Sequence, residues 1–276
     1  MITRFAPSPT GRLHLGHAYS ALLNHDRARE AGGRFLLRIE DIDRDRCRSE
    51  FVTGIEEDLR WLGLEWDGNA VLQSTRIEAH GAALERLRAL GLLYPCTCTR
   101  AEIAASASAP HGMPPAYPGT CRGRTQLPDA PFAWRLDVAA ALARTGPLEW
   151  QDEEAGRQRC SPLGGGDPVV ARKGLGVAYH LAAVVDDADA GVTLVLRGRD
   201  LFEATHVQRL LQALLGLPAL AYRHHPLILG PDGRRLAKRT AGSTIADLRA
   251  AGVDPVALLA TMRKGALPAG FTFAAT

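Results

Sequence analysis

The first forty residues contain a strand, a helix and a second strand in close succession. Residues 2–5 predict a short strand, residues 15–31 a helix that stops at two glycines, and the apolar run at residues 34–39 a buried strand. A strand–helix–strand unit favours a parallel sheet, in which ligands bind outside the carboxyl ends of the strands. We therefore expect the loop after Phe5 and the carboxylate of Glu40 to face the same crevice.

Length and composition set the class of protein. With 276 residues the chain forms one large domain or two ordinary ones, and its 46% hydrophobic, 23% charged and 6% aromatic residues are typical of a soluble globular protein. The sequence has no apolar stretch of about 18 residues, the length a membrane helix needs. Its first residues run into Pro7 without a signal-peptide apolar region. We expect a cytoplasmic protein.

The numbers of cysteine and charged residues further limit the functions expected of the chain. An odd number of cysteines in a chain without an export signal predicts reduced thiols rather than a disulfide framework. The net charge of +3 permits a polyanionic partner without requiring one. Only three of the 33 cationic residues are lysines, so a lysine within a motif is notable. The cysteines are Cys47, Cys96, Cys98, Cys121 and Cys160, and the lysines are Lys173, Lys238 and Lys264.

The loop after the first strand delivers two histidines to the start of the predicted helix. His14 and His17 share one helix face, where backbone N–H groups and the helix dipole favour a phosphate. Gly16 would let a flat base approach the backbone. The alternative is that both histidines are capping or surface groups.

The rest of the chain predicts a second α/β region that begins near Tyr179. An apolar run at residues 192–196 predicts a strand that ends at the charged residue Arg197, as the strand at residues 34–39 ends at Glu40. Polar groups from the two halves are therefore expected to converge. The other predicted elements are helices at residues 49–62, 76–90 and 201–215, a strand at 226–229, a turn at 230–233 and a broken helical segment at 243–262.

Two motifs carry a resemblance to a known family. The run Arg-Phe-Ala-Pro-Ser-Pro-Thr-Gly, followed by His14-Leu15-Gly16-His17, resembles the first signature of the class I aminoacyl-tRNA synthetases in its glutamyl form. The second signature, usually Lys-Met-Ser-Lys-Ser, corresponds to residues 235–239, which read Arg-Leu-Ala-Lys-Arg. The resemblance implies that His14, His17 and Lys238 are catalytic and that these three and Gly16 bind ATP. An exposed basic loop is the alternative for residues 235–239.

The resemblance also implies a glutamate site. Residues 179–187 and 195–200 resemble the substrate wall of the glutamyl subgroup. Glutamate carries two carboxylates and one ammonium, which two guanidinium groups and one carboxylate can match. Taken singly, such residues could be surface ion pairs. The implied glutamate-binding residues are Arg4, Ala6, Ser8, Glu40, Tyr179 and Arg197.

A second constellation suggests a metal. Three thiols, in Cys96-Thr97-Cys98 and later Cys121, suggest zinc, and ligand chemistry alone nominates His111 as the fourth ligand. Unpaired reduced cysteines in a loop are the alternative. One truncated branch of the glutamyl subgroup has this pattern with tyrosine as the fourth ligand. The resemblance therefore implies one structural zinc bound by Cys96, Cys98, Tyr117 and Cys121.

The resemblance implies a fold as well. It predicts an α/β class I synthetase, with a Rossmann-like parallel sheet, an inserted zinc-containing subdomain, a short C-terminal helical region and no anticodon-binding domain. The expected divisions are the first half of the catalytic domain at residues 1–92, the inserted subdomain at 93–178, the second half at 179–242 and the helical segment at 243–276.

The truncated branch implies a function. The expected enzyme is a monomeric ligase that forms glutamyl-adenylate from glutamate and ATP with Mg²⁺, without needing tRNA, and transfers glutamate to queuosine in the anticodon loop of tRNA(Asp). Three alternatives are a minimal glutamyl-tRNA synthetase charging a tRNA 3′ end, a ligase acting on an amine or carrier protein, and a catalytically inactive RNA-binding paralogue. Candidate phosphate contacts are Arg122, Arg124, Arg223 and Arg235.

Overall fold

The computed structural model describes residues 1–106, 116–172, 174, 176–236 and 244–275. Within this part of the chain, no helix is both long enough and apolar enough to cross a membrane. The strands are β1 Ile2–Phe5, β2 Arg34–Ile39, β3 Val71–Leu72, β4 Leu93–Cys96, β5 Ala133–Leu136, β6 Glu149–Asp152, β7 Gly156–Arg159, β8 Val169–Arg172, β9 Gly176–Val177, β10 Leu194–Gly198, β11 Ala221–His225, β12 Ile228–Leu229 and β13 Thr272–Phe273. The helices are α1 Leu15–Glu30, α2 Ser49–Trp61, α3 Ile77–Ala89, α4 Arg100–Ser106, α5 Val138–Thr145, α6 Tyr179–Asp189, α7 Phe202–Leu215, α8 Ile245–Ala250 and α9 Pro255–Arg263.

The elements form two compact units. The first contains Met1–Thr75, Gly191–Leu201 and Ala221–Thr276, and the second contains Arg76–Ala190 and Phe202–Leu220. These units group residues by packing and not by function, so the four functional segments expected from the sequence stay predictions.

The first unit contains the strand–helix–strand pattern expected at the N-terminus. β1, β2 and β3 form a parallel sheet in which Ile2 is opposite Arg34 and Phe5 is opposite Leu37. β10 and β11 are also parallel, and β12 pairs with β13 in an antiparallel manner. The α1 helix ends at Glu30, close to its predicted end, and its apolar side packs on the sheet in one buried core. The α/β class with parallel strands is confirmed.

Asn24 connects three elements of the first unit. This side chain of α1 is fully buried, and its Nδ2 donates to the carbonyls of Ser20 at 2.8 Å and Leu196 at 2.9 Å. Its own backbone carbonyl accepts from the hydroxyl of Thr3 at 2.8 Å. A buried carbonyl that loses its donor costs free energy. Asn24 therefore fixes α1 against β1 and β10, the strands that carry Arg4 and Arg197.

Substitution of Asn24 with alanine should destabilise the protein. We expect the free energy of unfolding in urea to fall by about 2 kcal/mol, because the Leu196 carbonyl stays buried without a donor. Glu30→Ala, at the exposed end of the same helix, is the control and should change stability by less than about 0.5 kcal/mol. Equal unfolding curves for Asn24→Ala and the wild type would contradict this role.

The second unit has a different sheet arrangement. β4, β5, β8 and β9 form an antiparallel sheet in that order, and β6 and β7 form an antiparallel hairpin. Helices α3, α5, α6 and α7 contribute to a core of leucine, valine and alanine side chains. The molecule thus contains both parallel and antiparallel sheets, rather than the parallel sheet alone that the first forty residues indicate.

Candidate functional site

His14 and His17 form the first turn of α1. His14 is the N-cap residue, and its Nδ1 accepts a hydrogen bond from the backbone N–H of Gly16 at 3.1 Å. The Nδ1 of His17 accepts from the backbone N–H of His14 at 3.2 Å, and the two rings stack with centroids 3.7 Å apart. A neutral imidazole whose Nδ1 accepts carries its proton on Nε2. Capping therefore leaves each ring with an Nε2–H that can donate to an anion at the helix N-terminus.

Gly16 makes the close packing of this turn possible. A Cβ atom at this position would lie 3.1 Å from Cε1 and 3.2 Å from Nδ1 of His14. Those separations are tighter than ordinary van der Waals contact, so a side chain would force the His14 ring to move. The absence of a side chain at Gly16 therefore lets the His14 ring stay in its capping position. The sequence predicts a second role for this glycine, which is to let a flat base approach the backbone.

The loop after β1 is tied to the end of β2. The Pro7 carbonyl accepts from the backbone N–H of Glu40 at 3.0 Å, and the Pro9 carbonyl accepts from that of Arg48 at 3.1 Å. Ala6 and Ser8 in this loop are half-buried. The loop and Glu40 thus lie together at the carboxyl ends of β1 and β2, as expected for a parallel sheet.

Three arginines of the first unit are buried near strand ends. Arg4 in β1, Arg38 in β2 and Arg197 in β10 are each 5% exposed. Arg38 donates from Nη2 to Oε1 of Glu40 at 3.1 Å, and both side chains of this pair are largely withdrawn from solvent. Buried charges require partners or ligands. Arg38 is not among the residues predicted from the sequence, although a charge interrupting an apolar strand is a detectable signal.

Arg197 is held by the neighbouring strand. It is the register partner of His224 on β11, and its Nε donates to Nε2 of His224 at 3.2 Å. Its Nη2 donates to the carbonyl of Leu201 at 3.1 Å, and its guanidinium lies 5.6 Å from the ring centroid of Tyr222. These contacts fix the guanidinium plane. His224 has no distinguishing pattern in the sequence, so only the strand pairing reveals its role.

Lys238 lies outside the described residues, but the chain on either side of it is described. Before it, the backbone N–H of Leu236 donates to the carbonyl of Ile228 at 3.4 Å. After it, Thr244 pairs with His14 in an antiparallel bridge, and the N–H of Ile245 donates to the carbonyl of Leu13 at 2.9 Å. Thr244 and Ile245, the first described residues after Lys238, therefore contact the histidine turn.

The remaining predicted residues have mixed surroundings. Tyr179 is half-buried and begins α6 of the second unit, whereas the other predicted glutamate-binding residues belong to the first.

Among the candidate phosphate contacts, Arg235 pairs with Asp200 at 2.8 Å and Arg122 pairs with Asp167 at 2.7 Å. The exposed Arg124 donates to the Thr97 hydroxyl at 3.2 Å, and Arg223 is half-buried.

The thiols of Cys96, Cys98 and Cys121 converge in the second unit. Their sulfurs all lie within 4.8 Å of one another, and those of Cys98 and Cys121 are 3.6 Å apart. The hydroxyl of Tyr117 lies 3.3 Å from the Cys96 sulfur and 4.0 Å from the Cys98 sulfur. A tetrahedral zinc site requires about 3.8 Å between sulfurs and about 3.5 Å between sulfur and oxygen. The four atoms therefore fit such a site, while His111 lies outside the described residues.

The surroundings of Tyr117 orient its ring toward the thiols. Its hydroxyl accepts from the backbone N–H of Cys121 at 2.8 Å. The backbone of Gly166, at φ +70°, lies so close that a Cβ there would be 2.4 Å from the Tyr117 carbonyl oxygen. Arg135 places its guanidinium 3.7 Å from the ring centroid and donates to the Asp167 carbonyl at 2.6 Å. The run of glycines before Asp167 is the sequence signal that could have indicated this close approach.

The cysteines differ in acidity. Burial, together with hydrogen bonds to the neighbouring thiols, raises the pKa of Cys98 to about 11. Burial opposes ionisation of Cys121 too, but the Thr97 backbone and the Tyr117 hydroxyl lower its pKa to about 7. Cys160 is buried elsewhere, donates to the His206 carbonyl at 3.1 Å and has its pKa raised to about 11 by burial. Cys121 is thus the thiol among these that ionises most readily.

Comparisons with known proteins agree with this geometry. Residues 1–271 match the family described as tRNA synthetases class I (E and Q), catalytic domain. Proteins named Glutamyl-Q tRNA(Asp) synthetase are similar to the chain: that of Rhodobacter capsulatus is 49% identical, covering 92% of this chain and 97% of its own, and that of Symbiobacterium thermophilum is 50% identical, covering 91% and 82%.

Among solved structures, a glutamate tRNA ligase from Elizabethkingia meningosepticum, in complex with its amino acid, superposes with a TM-score of 0.71 at 28% identity. The match covers 87% of this chain and 52% of that one, so the chain spans about half the length of that ligase. The expected α/β synthetase class is therefore confirmed. The chain belongs to the class I tRNA synthetases of the E and Q group, whose catalytic domain has ligase activity, and within that group to the branch whose curated members are named Glutamyl-Q tRNA(Asp) synthetase.

Proposed function

We propose that the protein activates glutamate with ATP to give glutamyl-adenylate, without needing tRNA, and transfers the glutamate to queuosine in the anticodon loop of tRNA(Asp). The observation that carries this proposal is the 49 to 50% identity, over more than nine-tenths of this chain, to proteins named for that substrate. The arrangement of charged residues in the first unit supports it.

The buried arginines suit a dicarboxylic amino acid. Arg4 and Arg197 provide two guanidinium forks for the two carboxylates of glutamate, and Glu40 provides an anion for its ammonium group. Arg38, which donates to Glu40, would hold that carboxylate in place. Ala6 and Ser8 border this region, and Tyr179 is proposed as a further wall of the site.

Activation requires stabilisation of a departing pyrophosphate. A carboxylate oxygen of glutamate bonds to the α-phosphorus of ATP while the bond from that phosphorus to the pyrophosphate oxygen breaks. The Nε2–H groups of His14 and His17 and the ammonium of Lys238 would donate to the phosphate oxygens, with Gly16 shaping the turn and Mg²⁺ accompanying the ATP. Lys238 lies outside the described residues, and its role here is carried by its place in the second signature.

Transfer then needs no protein nucleophile. A hydroxyl oxygen of queuosine bonds to the activated carbonyl carbon, AMP leaves with the electrons of the broken bond, and the hydroxyl proton is released. The arginines Arg122, Arg124, Arg223 and Arg235 are candidate contacts for tRNA phosphates. Two of them are already paired with carboxylates, Arg122 with Asp167 and Arg235 with Asp200.

The proposed zinc has a structural role. Cys96, Cys98, Tyr117 and Cys121 would hold it, and four protein ligands leave no open position for a substrate. A bound zinc would connect β4 to the segment that contains Tyr117 and Cys121. The ion therefore supports the fold of the second unit and takes no part in adenylate formation.

The assignment of the acceptor can be tested with labelled glutamate. The protein, ATP and Mg²⁺ are incubated with tRNA from cells that make or lack queuosine, each pool intact or trimmed of its 3′-terminal adenosine. We expect equal labelling of intact and trimmed queuosine-containing tRNA and no labelling of the other pool. Label that disappears on trimming would support the alternative of a minimal glutamyl-tRNA synthetase and contradict the proposal.

The identity of the fourth zinc ligand is also testable. Tyr117→Phe removes only the hydroxyl, and we expect it to release zinc to a chromophoric chelator at least about 10-fold faster than the wild type, which should hold one zinc per chain. His111→Ala is the matched control and should release zinc at the wild-type rate. The opposite result, with loss of zinc only from His111→Ala, would assign the fourth position to His111.

A further inference from the structure

Asp58 in α2 is a buried carboxylate that the proposed chemistry does not use. It is fully buried, and neither of its carboxylate oxygens has a hydrogen-bond partner among the described residues. The Nη2 of Arg249 lies 3.7 Å from its Oδ1. Burial raises the pKa of Asp58 to about 6, while the charges of Arg249 and Arg12 act in the opposite direction and Glu57 adds to the rise.

Arg12 approaches Asp58 from the loop before the histidine turn. Gly54 lies one helical turn before Asp58, and a Cβ at Gly54 would be 2.5 Å from Nη1 of Arg12. Residues four apart share one face of a helix, so the Arg12 guanidinium lies against the same face of α2 that carries Asp58. Only Leu13 separates Arg12 from His14.

Arg249 approaches Asp58 from the other segment that meets the histidine turn. It belongs to α8, which begins at Ile245, and the backbone N–H of Ile245 donates to the Leu13 carbonyl at 2.9 Å. Thr244, the N-cap of α8, pairs with His14. The loop that contains Arg12 and helix α8 thus contact each other at the histidine turn. Each of them places an arginine near the buried carboxylate of Asp58.

Asp58 does not add to stability near neutral pH. Its pKa in the folded protein lies above its ordinary value, so the folded state holds the proton more tightly than the unfolded state does. As the pH rises from below 4 to above 6, the ionised and unbonded carboxylate therefore destabilises the folded state. An uncharged residue of the same shape should be tolerated at this position.

We propose that Asp58 is a positioning residue for adenylate formation, holding Arg12 and Arg249 so that the turn of His14 and the start of α8 keep a fixed relation. This inference rests on the proposed function. Asp58 is fully buried, so it is not placed to contact a substrate itself. It acts through the two arginines, and its loss should slow the chemical step more than it weakens glutamate binding.

The test compares three variants of the full chain in glutamate-dependent ATP–pyrophosphate exchange. Asp58→Asn removes the charge and keeps the shape. Gly54→Ala displaces the flexible end of Arg12 without weakening α2, since alanine favours a helix more than glycine does. We expect both to lower kcat by about 10-fold or more, with the glutamate KM changed by less than about 2-fold and the midpoint of thermal unfolding not lowered.

Glu57→Gln is the matched control. Glu57 is next to Asp58, and its carboxylate lies 3.8 Å from the same Arg249 atom, but its side chain is 50% exposed. It should therefore leave kcat and KM unchanged. A wild-type kcat in Asp58→Asn, or an equal loss in Glu57→Gln, would overturn the positioning role.

Amide hydrogen exchange separates this inference from the proposed function. The Ile245 amide should exchange faster in Asp58→Asn and Gly54→Ala than in the wild type and in Glu57→Gln, because its bond to Leu13 depends on the arginines. Unchanged exchange in both variants would overturn the coupling. A wild-type protein without ATP–pyrophosphate exchange would contradict the proposed function, and the Ile245 amide would still decide whether Asp58 joins the two segments.

Discussion

Replacing Arg197 with lysine should raise the glutamate KM in ATP–pyrophosphate exchange by about 100-fold, even though the positive charge remains. Lysine has no planar fork, so it cannot bind a carboxylate in a bidentate manner while also donating to His224 and to the Leu201 carbonyl. The position is 5% exposed, which leaves little water to replace the lost contacts. Arg197→Ala, which also removes the charge, should lose about 1000-fold in kcat/KM.

Arg34→Lys is the matched control for this series. Arg34 begins β2 with an exposed side chain, so the same chemical change occurs there away from buried partners. Its kinetic constants should equal those of the wild type. An Arg197→Lys variant with a glutamate KM within about 2-fold of the wild type would exclude a bidentate contact between Arg197 and the substrate.

Local sequence patterns were sufficient for the N-terminal part of the site. The strand–helix–strand unit at residues 2–39 follows from hydrophobic runs and a pair of glycines, which are local signals, and the structure has it. The position of His14 and His17 at the start of α1 follows from the same pattern. The parallel topology then places Glu40 beside the loop after β1.

Contacts between distant segments were not predictable in this way. His224 acquires its role from a partner that only the fold defines, namely an arginine on a neighbouring strand. Asp58 is one acidic residue among several in an amphipathic helix, and its burial depends on how α2 and α8 pack. Buried polar groups are a tertiary property, and their sequence pattern resembles that of solvated ones.

The cysteine cluster shows the same limit. The three cysteines could be proposed from their spacing, but spacing alone could not choose between His111 and Tyr117. The position of Tyr117 depends on Gly166, whose missing side chain admits the Tyr117 backbone, and on Arg135, which packs on the ring. These residues come from separate segments of the chain, so their contribution follows from the sheet that joins β4, β5 and β8.

The histidine turn offers a substitution that separates capping from catalysis. His14 caps α1 through its Nδ1, with the extended backbone angles (φ −115°, ψ 173°) that asparagine also adopts at this position. His14→Asn should therefore keep the stability of the wild type, because its side-chain oxygen can accept from the same backbone N–H groups. It lacks the Nε2–H, so we expect kcat in ATP–pyrophosphate exchange to fall by about 100-fold or more.

His14→Ala completes the comparison. It removes both functions, and we expect the same loss of kcat together with a decrease of about 1 kcal/mol in the free energy of unfolding. If His14→Asn retains the wild-type kcat, capping alone explains the residue and the pyrophosphate must be stabilised by His17 and Lys238. If His14→Asn loses activity while its urea unfolding curve is unchanged, the imidazole acts on the substrate, because the helix start is then intact and only the donor has been removed.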